Sequence, residues 1–121
     1  MQVTITGKSI ELTEAIKDYA EKKIDSLDKF YDNILRAEVV VGLETRHHLK
    51  GKNFVCECKL VVPGKDLFAT KEEANLYKAI DKVRDYLESE LKKYKVKERE
   101  KEKKLKRQAR DSKGYKVEEE K

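Results

Sequence analysis

The side chains with the strongest ligand chemistry in this sequence are two histidines, His47-His48, and two cysteines, Cys56 and Cys58. A metal centre needs three or four such donors converging on one point. Adjacent residues point in different directions, and His47-His48 sit in the polar run Thr45-Arg46-His47-His48-Leu49-Lys50-Gly51-Lys52-Asn53, whose cations repel a metal ion. Cys56 and Cys58 share one face of an extended strand about 7 Å apart, too far for an unstrained disulfide. They read as two small buried apolar side chains. The five glycines are spread over turns and make no phosphate-cradling loop. Ser9, Ser26, Ser89 and Ser112 have no nucleophile motif around them, and Glu72-Glu73 are expected at a helix start, where the helix dipole accounts for paired acids. Catalysis therefore has no positive support, and neither a cofactor nor a metal is expected.

Cations remain, and their placement is uneven. From Lys95 onward there are twelve Lys/Arg against seven Asp/Glu, which accounts for the whole net charge of +5; Met1 to Tyr94 holds seventeen of each. The folded part can attract anions only through local grouping. Between Lys92 and Arg110 eleven basic residues face only Glu98, Glu100 and Glu102, a local charge near +8. Any single lysine there is an ordinary solvated side chain. The stretch as a whole favours phosphate binding, and RNA read through shape, phosphates and 2′-hydroxyls needs no base-reading motif.

The elements that must position these cations follow from periodicity. Gln2 to Thr6 alternates with Val3 and Ile5 on one face, a short strand ended by Gly7. Thr13 offers an N-cap, and Ile16, Tyr19, Ala20, Ile24 and Leu27 recur at helical spacing to about Phe30 or Tyr31. Asp32-Asn33 breaks that helix. Ala37, Val39, Val41 and Leu43 line one face of a second strand; Phe54, Cys56, Cys58, Leu60 and Val62 line a third. The polar run between them reads as a long hairpin loop. Pro63-Gly64-Lys65-Asp66 is a turn into a short strand, Leu67 to Thr70. A long helix is predicted from Lys71 or Glu72, with Leu76, Ile80, Val83, Leu87, Leu91 and Tyr94 as its apolar stripe. Lys97 to Arg110 can extend the helix through Glu/Lys pairs but has no face to bury, and Asp111 to Lys121 reads as a disordered end.

This order, β-α-β-β-β-α, is an α+β fold. The first strand returns through a helix and so pairs in parallel by a right-handed crossover; the other three form an antiparallel meander. Two helices packed on one face of a four-stranded sheet satisfy every apolar stripe, leaving Glu38, Val40, Glu57, Lys59 and Val61 on a wet face. Lys17, Lys22, Lys23 and Lys29 then lie off the stripe of the first helix, and Lys78, Lys82, Lys92, Lys93 and Lys95 off that of the second, with Arg84 and Tyr77 on its flank.

A hydrophobic fraction of 38% against 44% charged residues implies that part of the chain is solvated and coreless. Runs such as Val39-Val40-Val41 are far too short to cross a bilayer, and Met1-Gln2-Val3-Thr4 lacks the features of a signal peptide. A cytoplasmic protein with no membrane and no small-molecule substrate is expected.

Three segments carry a family likeness. Met1-Gln2-Val3-Thr4-Ile5-Thr6-Gly7 with Leu12-Thr13-Glu14-Ala15-Ile16 and Tyr19, then Pro63-Gly64 with Ala69, then Leu76-Tyr77-Lys78-Ala79-Ile80-Asp81 with Leu87 and Leu91-Lys92-Lys93-Tyr94-Lys95, resemble the ribosome hibernation promoting factor and ribosome-associated inhibitor family. The resemblance implies a ribosome-binding domain over 1–96, related in shape to double-stranded-RNA-binding domains, and a charged, partly disordered extension over 97–121. It implies a partner, the small ribosomal subunit with its 16S-type rRNA, bound in the messenger and transfer RNA channel so that idle ribosomes stop translating. Long members carry a further dimerisation domain, and a homodimer is expected only where one exists. The family's basic positions carry over to Lys22, Lys23, Lys92, Lys93 and Lys95, and its signature to Tyr77 and Asp81. Tyr86 stands where the family often has Lys and Ser89-Glu90 where it has Arg-Gln, while Lys82 and Arg84 add charge at positions that are frequently apolar. With the charge grouping, the candidate RNA-binding set is Lys22, Lys23, Lys29, Tyr77, Lys78, Lys82, Arg84, Lys92, Lys93, Lys95 and Lys97. A generic structured-RNA-binding module and a protein-interaction regulator are the competing readings.

Overall fold

Alternating patterns need a partner strand to become a sheet, and each of the four finds one. In a computed structural model, which describes residues 1–44 and 53–113, the elements are β1 (Gln2–Lys8), α1 (Glu14–Asp25), a 3-10 turn (Ser26–Lys29), β2 (Arg36–Glu44), β3 (Asn53–Val62), β4 (Lys65–Glu73) and α2 (Leu76–Lys113). Of the expected hairpin loop, 45–53, residues 45–52 with His47-His48 lie outside the described residues, as does 114–121, while Asn53 opens β3. The sheet order is β1-β2-β3-β4. β1 runs parallel to β2, and the remaining pairs are antiparallel.

The register stacks the apolar faces on one another. Val3 lies beside Ala37, which faces Leu60, which faces Leu67; Ile5 lies beside Val39, then Cys58, then Ala69. A one-residue slip would turn every one of these to solvent, so the register is strongly specified. Cys56, Cys58, Leu60, Ala37 and Val41 are wholly buried. The helices cover this side, since Lys71 and Glu73, on the same face of β4, reach Tyr86 and Lys82 of α2. Helix α1 contributes Ala20 and Ile24, and α2 contributes Leu76, Ala79, Ile80, Val83, Leu87 and Leu91.

Several expectations need correction. The first strand continues through Gly7 to Lys8, and the left-handed backbone of Ser9, φ 62°, ends it. Helix α1 stops at Asp25 rather than near Phe30, because the Ser26 hydroxyl donates to the Lys23 carbonyl at 2.6 Å and the chain tightens into a 3-10 turn. The fourth strand runs on to Glu73, so Glu72-Glu73 are strand residues paired with Val55 and Phe54, and α2 starts only at Leu76. At its far end α2 extends through 111–113, which the sequence placed in a disordered end.

On the open face Val61 is 9% exposed rather than wet. It sits between Arg36 and Asp66 in its cross-strand row, and those side chains pair with Glu38 at 2.8 Å and Lys59 at 3.5 Å in the next row. The Pro63-Gly64 turn is as expected: Gly64 has φ 81°, open to glycine at no steric cost. Gly42 serves a different need, since a Cβ there would lie 2.9 Å from the Lys8 carbonyl oxygen.

By backbone contacts the chain divides into a unit of Met1–Leu91, which holds the sheet, α1 and the first turns of α2, and a second from Lys92 onward. The second unit is helix as far as Lys113, and its side chains from Lys92 to Ala109 are exposed apart from half-buried Tyr94 and Glu98.

Candidate nucleic-acid interface

Helix α1 exists where it does because the Thr13 hydroxyl accepts from the Ile16 backbone N–H at 3.2 Å, satisfying one of the free donors of the first turn. Helix α2 is started the same way. The Asn75 side-chain oxygen accepts from the N–H groups of Tyr77, at 2.8 Å, and Lys78, at 3.3 Å. Both helices bury their apolar stripes in the sheet, which leaves their polar flanks side by side.

Three contacts fasten those flanks together. The Tyr19 hydroxyl donates to Asp81 Oδ1 at 2.6 Å. The rings of Tyr19 and Tyr77 meet edge to face, 4.9 Å between centroids and 89° between planes. Arg84 Nε donates to the Ser26 hydroxyl at 3.0 Å. Lys23 joins the first contact, 3.5 Å from Asp81 Oδ1 and 5.6 Å from the centre of the Tyr19 ring. The hydrogen bond to Asp81, then burial, then the Asp81 charge push the Tyr19 phenol up to about 12, so it remains a neutral donor at any physiological pH.

Between the flanks lies a groove of about 420 Å³ lined by Tyr19, Lys22, Lys23, Ser26, Lys29, Arg84 and Asp85. Four cations thus converge on one concavity with a single carboxylate in its wall. They are not equivalent. Arg84 is held in place by Ser26, by Asp85 at 3.3 Å, by Glu88 one turn on, and by the Phe30 ring 5.3 Å away. Its side chain is only 16% exposed, so its guanidinium is fixed in place with its charge balanced by the two carboxylates. Lys22 and Lys29 are exposed and make no ion pair among the described residues, which leaves them to reach for an anion. A phosphate fits the exposed ammonium groups of Lys22 and Lys29, with the guanidinium of Arg84 fixed in the same groove.

The structure therefore brings Lys22, Lys23, Lys29 and Arg84 of the sequence-derived set into one groove, with Tyr77 against its Tyr19 wall. Lys78 is exposed in the first turn of α2. Lys82 is exposed but bonded to Glu73 of β4 at 2.6 Å. Lys92, Lys93, Lys95 and Lys97 belong to the second unit and are exposed on α2. Sequence reasoning took Tyr19 as a member of the apolar stripe and gave Ser26 and Asp85 no role. Helical phase put Tyr19 at the edge of that stripe, which was the available signal.

A larger hollow of about 470 Å³ lies at one end of the sheet's open face, lined among others by Lys8, Val40, Val55, Glu44 and Glu57. With one lysine against two carboxylates it is a poor place for a phosphate. Among the described residues no group of three or more His, Cys, Asp or Glu side chains is placed to hold a metal ion, and no helix is long and apolar enough to cross a membrane.

Comparison with known proteins agrees with the fold. The ribosome hibernation promoting factor of Azotobacter vinelandii is 37% identical over 98 residues, covering 81% of this chain and 86% of that protein. The Escherichia coli K12 protein of the same name is 33% identical over 97 residues, 80% of this chain and 96% of the other. The ribosome hibernation promotion factor of Deinococcus radiodurans is 36% identical over 92 residues, 76% of this chain and 48% of the relative, so the chain matches about half of that longer protein. Among solved structures, the Protein Y N-terminal domain of Thermus thermophilus superposes with a TM-score of 0.68 at 37% identity, over 78% of this chain and 99% of that one. A ribosomal subunit interface protein of Coxiella burnetii, 23% identical with a TM-score of 0.70 over 79% of this chain and 99% of its own, shares the fold. The profile of one family matches residues 3–99, and the chain belongs to it: the Sigma 54 modulation protein / S30EA ribosomal protein family.

Proposed function

We propose that this protein is a ribosome hibernation factor that binds the small ribosomal subunit through rRNA phosphates, occupies the messenger and transfer RNA channel, and so inhibits translation in idle cells. The observation that carries the chemistry is the convergence of Lys22, Lys23, Lys29 and Arg84 on one groove between two helices. The relatives named ribosome hibernation promoting factors support the ribosome as the target. Lys78 and Lys82 on α2, and Lys92, Lys93, Lys95 and Lys97 in the second unit, add phosphate contacts of lower specificity. The action is steric: a folded domain in the channel excludes the RNAs that belong there, with no bond made or broken, so the protein works without enzymatic turnover in the cytoplasm, where ribosomes are.

Co-sedimentation with purified small subunits tests this. The wild-type chain is expected to pellet with them at low salt and to dissociate steeply as salt rises, each phosphate contact adding roughly 0.7–0.9 to the log–log slope. A Lys22→Glu/Lys29→Glu double variant and a Lys92→Glu/Lys93→Glu/Lys95→Glu triple variant should both lose binding with unchanged circular dichroism. Unchanged pelleting of both would overturn the proposal. Competition against plain duplex RNA separates it from a generic RNA-binding module, because only a ribosome-directed protein strongly prefers the subunit. RNase-resistant, salt-insensitive binding would point instead to a protein partner.

A further inference from the structure

The groove offers ammonium groups and a guanidinium, which suit a phosphate. Tyr77, beside it, offers something else. Its side chain is 39% exposed although it lies in the first turn of a packed helix. Its contact with Tyr19 is perpendicular, 89° between planes, and a perpendicular contact covers at most one face of a ring. At least one flat face of Tyr77 is thus left uncovered by Tyr19.

The ring is also held still. Tyr19, its support, is anchored by the 2.6 Å hydrogen bond to Asp81 and flanked by the Lys23 ammonium. The backbone of Tyr77 is pinned by Asn75 at 2.8 Å. A fixed, partly exposed aromatic ring next to cations that can hold a phosphate backbone is the arrangement with which proteins hold unpaired nucleotides. Among the described residues, the two other exposed aromatic rings differ. Phe68 is on the open face of the sheet, opposite Lys59. Tyr86 has the Lys71 ammonium 4.7 Å over its ring.

We propose that Tyr77 is a base-stacking platform, so that this surface takes RNA in which an unpaired base stands next to the phosphates gripped by Lys22 and Lys29. The proposal rests on the RNA-binding reading above and adds a specificity to it. The phosphate groove alone would accept any backbone; the platform favours an RNA with a base already out of its stack and disfavours continuous duplex.

The full-length chain and its Tyr77→Phe, Tyr77→Trp, Tyr77→Leu and Tyr77→Ala variants should be compared for affinity to purified small subunits, with a urea melt of each to show that it is folded. Stacking predicts that Phe and Trp bind within about twofold of wild type, while Leu and Ala lose about tenfold, the order expected for one base–aromatic stack. A leucine variant as tight as the phenylalanine one would reduce Tyr77 to a patch of apolar surface. An alanine variant as tight as wild type would remove it from the interface. Either result overturns the platform and leaves ribosome binding standing, whereas failure of the wild-type chain to bind the subunit overturns both. Should the alanine variant not fold, the comparison of leucine with phenylalanine still decides.

Discussion

The Tyr19 hydroxyl and Asp81 Oδ1 lie 2.6 Å apart although 62 residues separate them in the chain. That bond tethers the flanks of α1 and α2, and Lys23 approaches the same carboxylate oxygen at 3.5 Å. One acidic residue on the second helix therefore sets where a tyrosine and a lysine of the first helix stand, and both line the groove.

Removing the hydroxyl should loosen that junction without emptying the core. Tyr19→Phe keeps the ring against Tyr77 and loses one hydrogen bond to a charged acceptor. Asp81 is 40% exposed, so solvent offsets much of the bond, and the expected loss is about 1 kcal/mol in a urea melt. A double cycle with Asp81→Ala should show most of that loss as coupling. Additive effects would mean that the two residues act independently.

The same bond fixes a pH dependence. The phenol of Tyr19 is pushed from its ordinary 10.0 up to about 12, first by its hydrogen bond to Asp81, then by burial and the Asp81 charge. The folded state holds this proton longer than the unfolded chain does. Its contribution to stability is complete below pH 10 and is lost as the pH rises from there through about 12. An ultraviolet titration of tyrosinate should show a late-ionising component that Tyr19→Phe removes and that Asp81→Asn moves back toward 10. No change in the late phase with either variant would contradict the assignment.

How far the sequence could be read follows from how local each signal was. The two-residue alternation at Val3-Ile5, Ala37-Val39-Val41 and Cys56-Cys58-Leu60 gave the strands and their buried face, because burial on one side leaves its mark in every second residue. Lys22, Lys23, Lys29 and Arg84 were legible as cations off or beside an apolar stripe. The start of α2 was misplaced for a physical reason: Lys71-Glu72-Glu73 has the composition of a first helical turn, but these residues pair with Cys56, Val55 and Phe54, and a ladder to a distant strand leaves no local trace. The tethers Tyr19–Asp81 and Ser26–Arg84 were hidden likewise, since each joins residues whose meeting depends on how both helices pack on the sheet.

The thiols should report on that packing. Cys56 and Cys58 are wholly buried, and burial, before any neighbouring charge, pushes each up to about 12. Neither presents a thiolate to a disulfide reagent at pH 8 in the native state. Both should react together, at a rate that follows global unfolding as urea is added. Rapid labelling of one thiol at a rate insensitive to urea would show that β3 opens on its own.

Asn75→Ala tests whether the cap that starts α2 also sets the exposed edge of the proposed interface. Its side-chain oxygen satisfies the N–H groups of Tyr77 and Lys78, and losing such a cap costs about 1 kcal/mol. The loss falls on the first turn, because Ala79, Ile80 and Val83 behind it are fully buried and hold the rest of the helix down. Amide exchange should therefore quicken at Tyr77 and Lys78 while the amides of the buried turns beyond keep their protection. Small-subunit affinity should fall further than Tyr77→Ala alone explains, since the frayed turn carries Lys78 as well. If exchange quickens along the helix as far as Leu87, the cap supports the helix as a whole; if affinity holds while the first turn frays, the RNA does not use that turn.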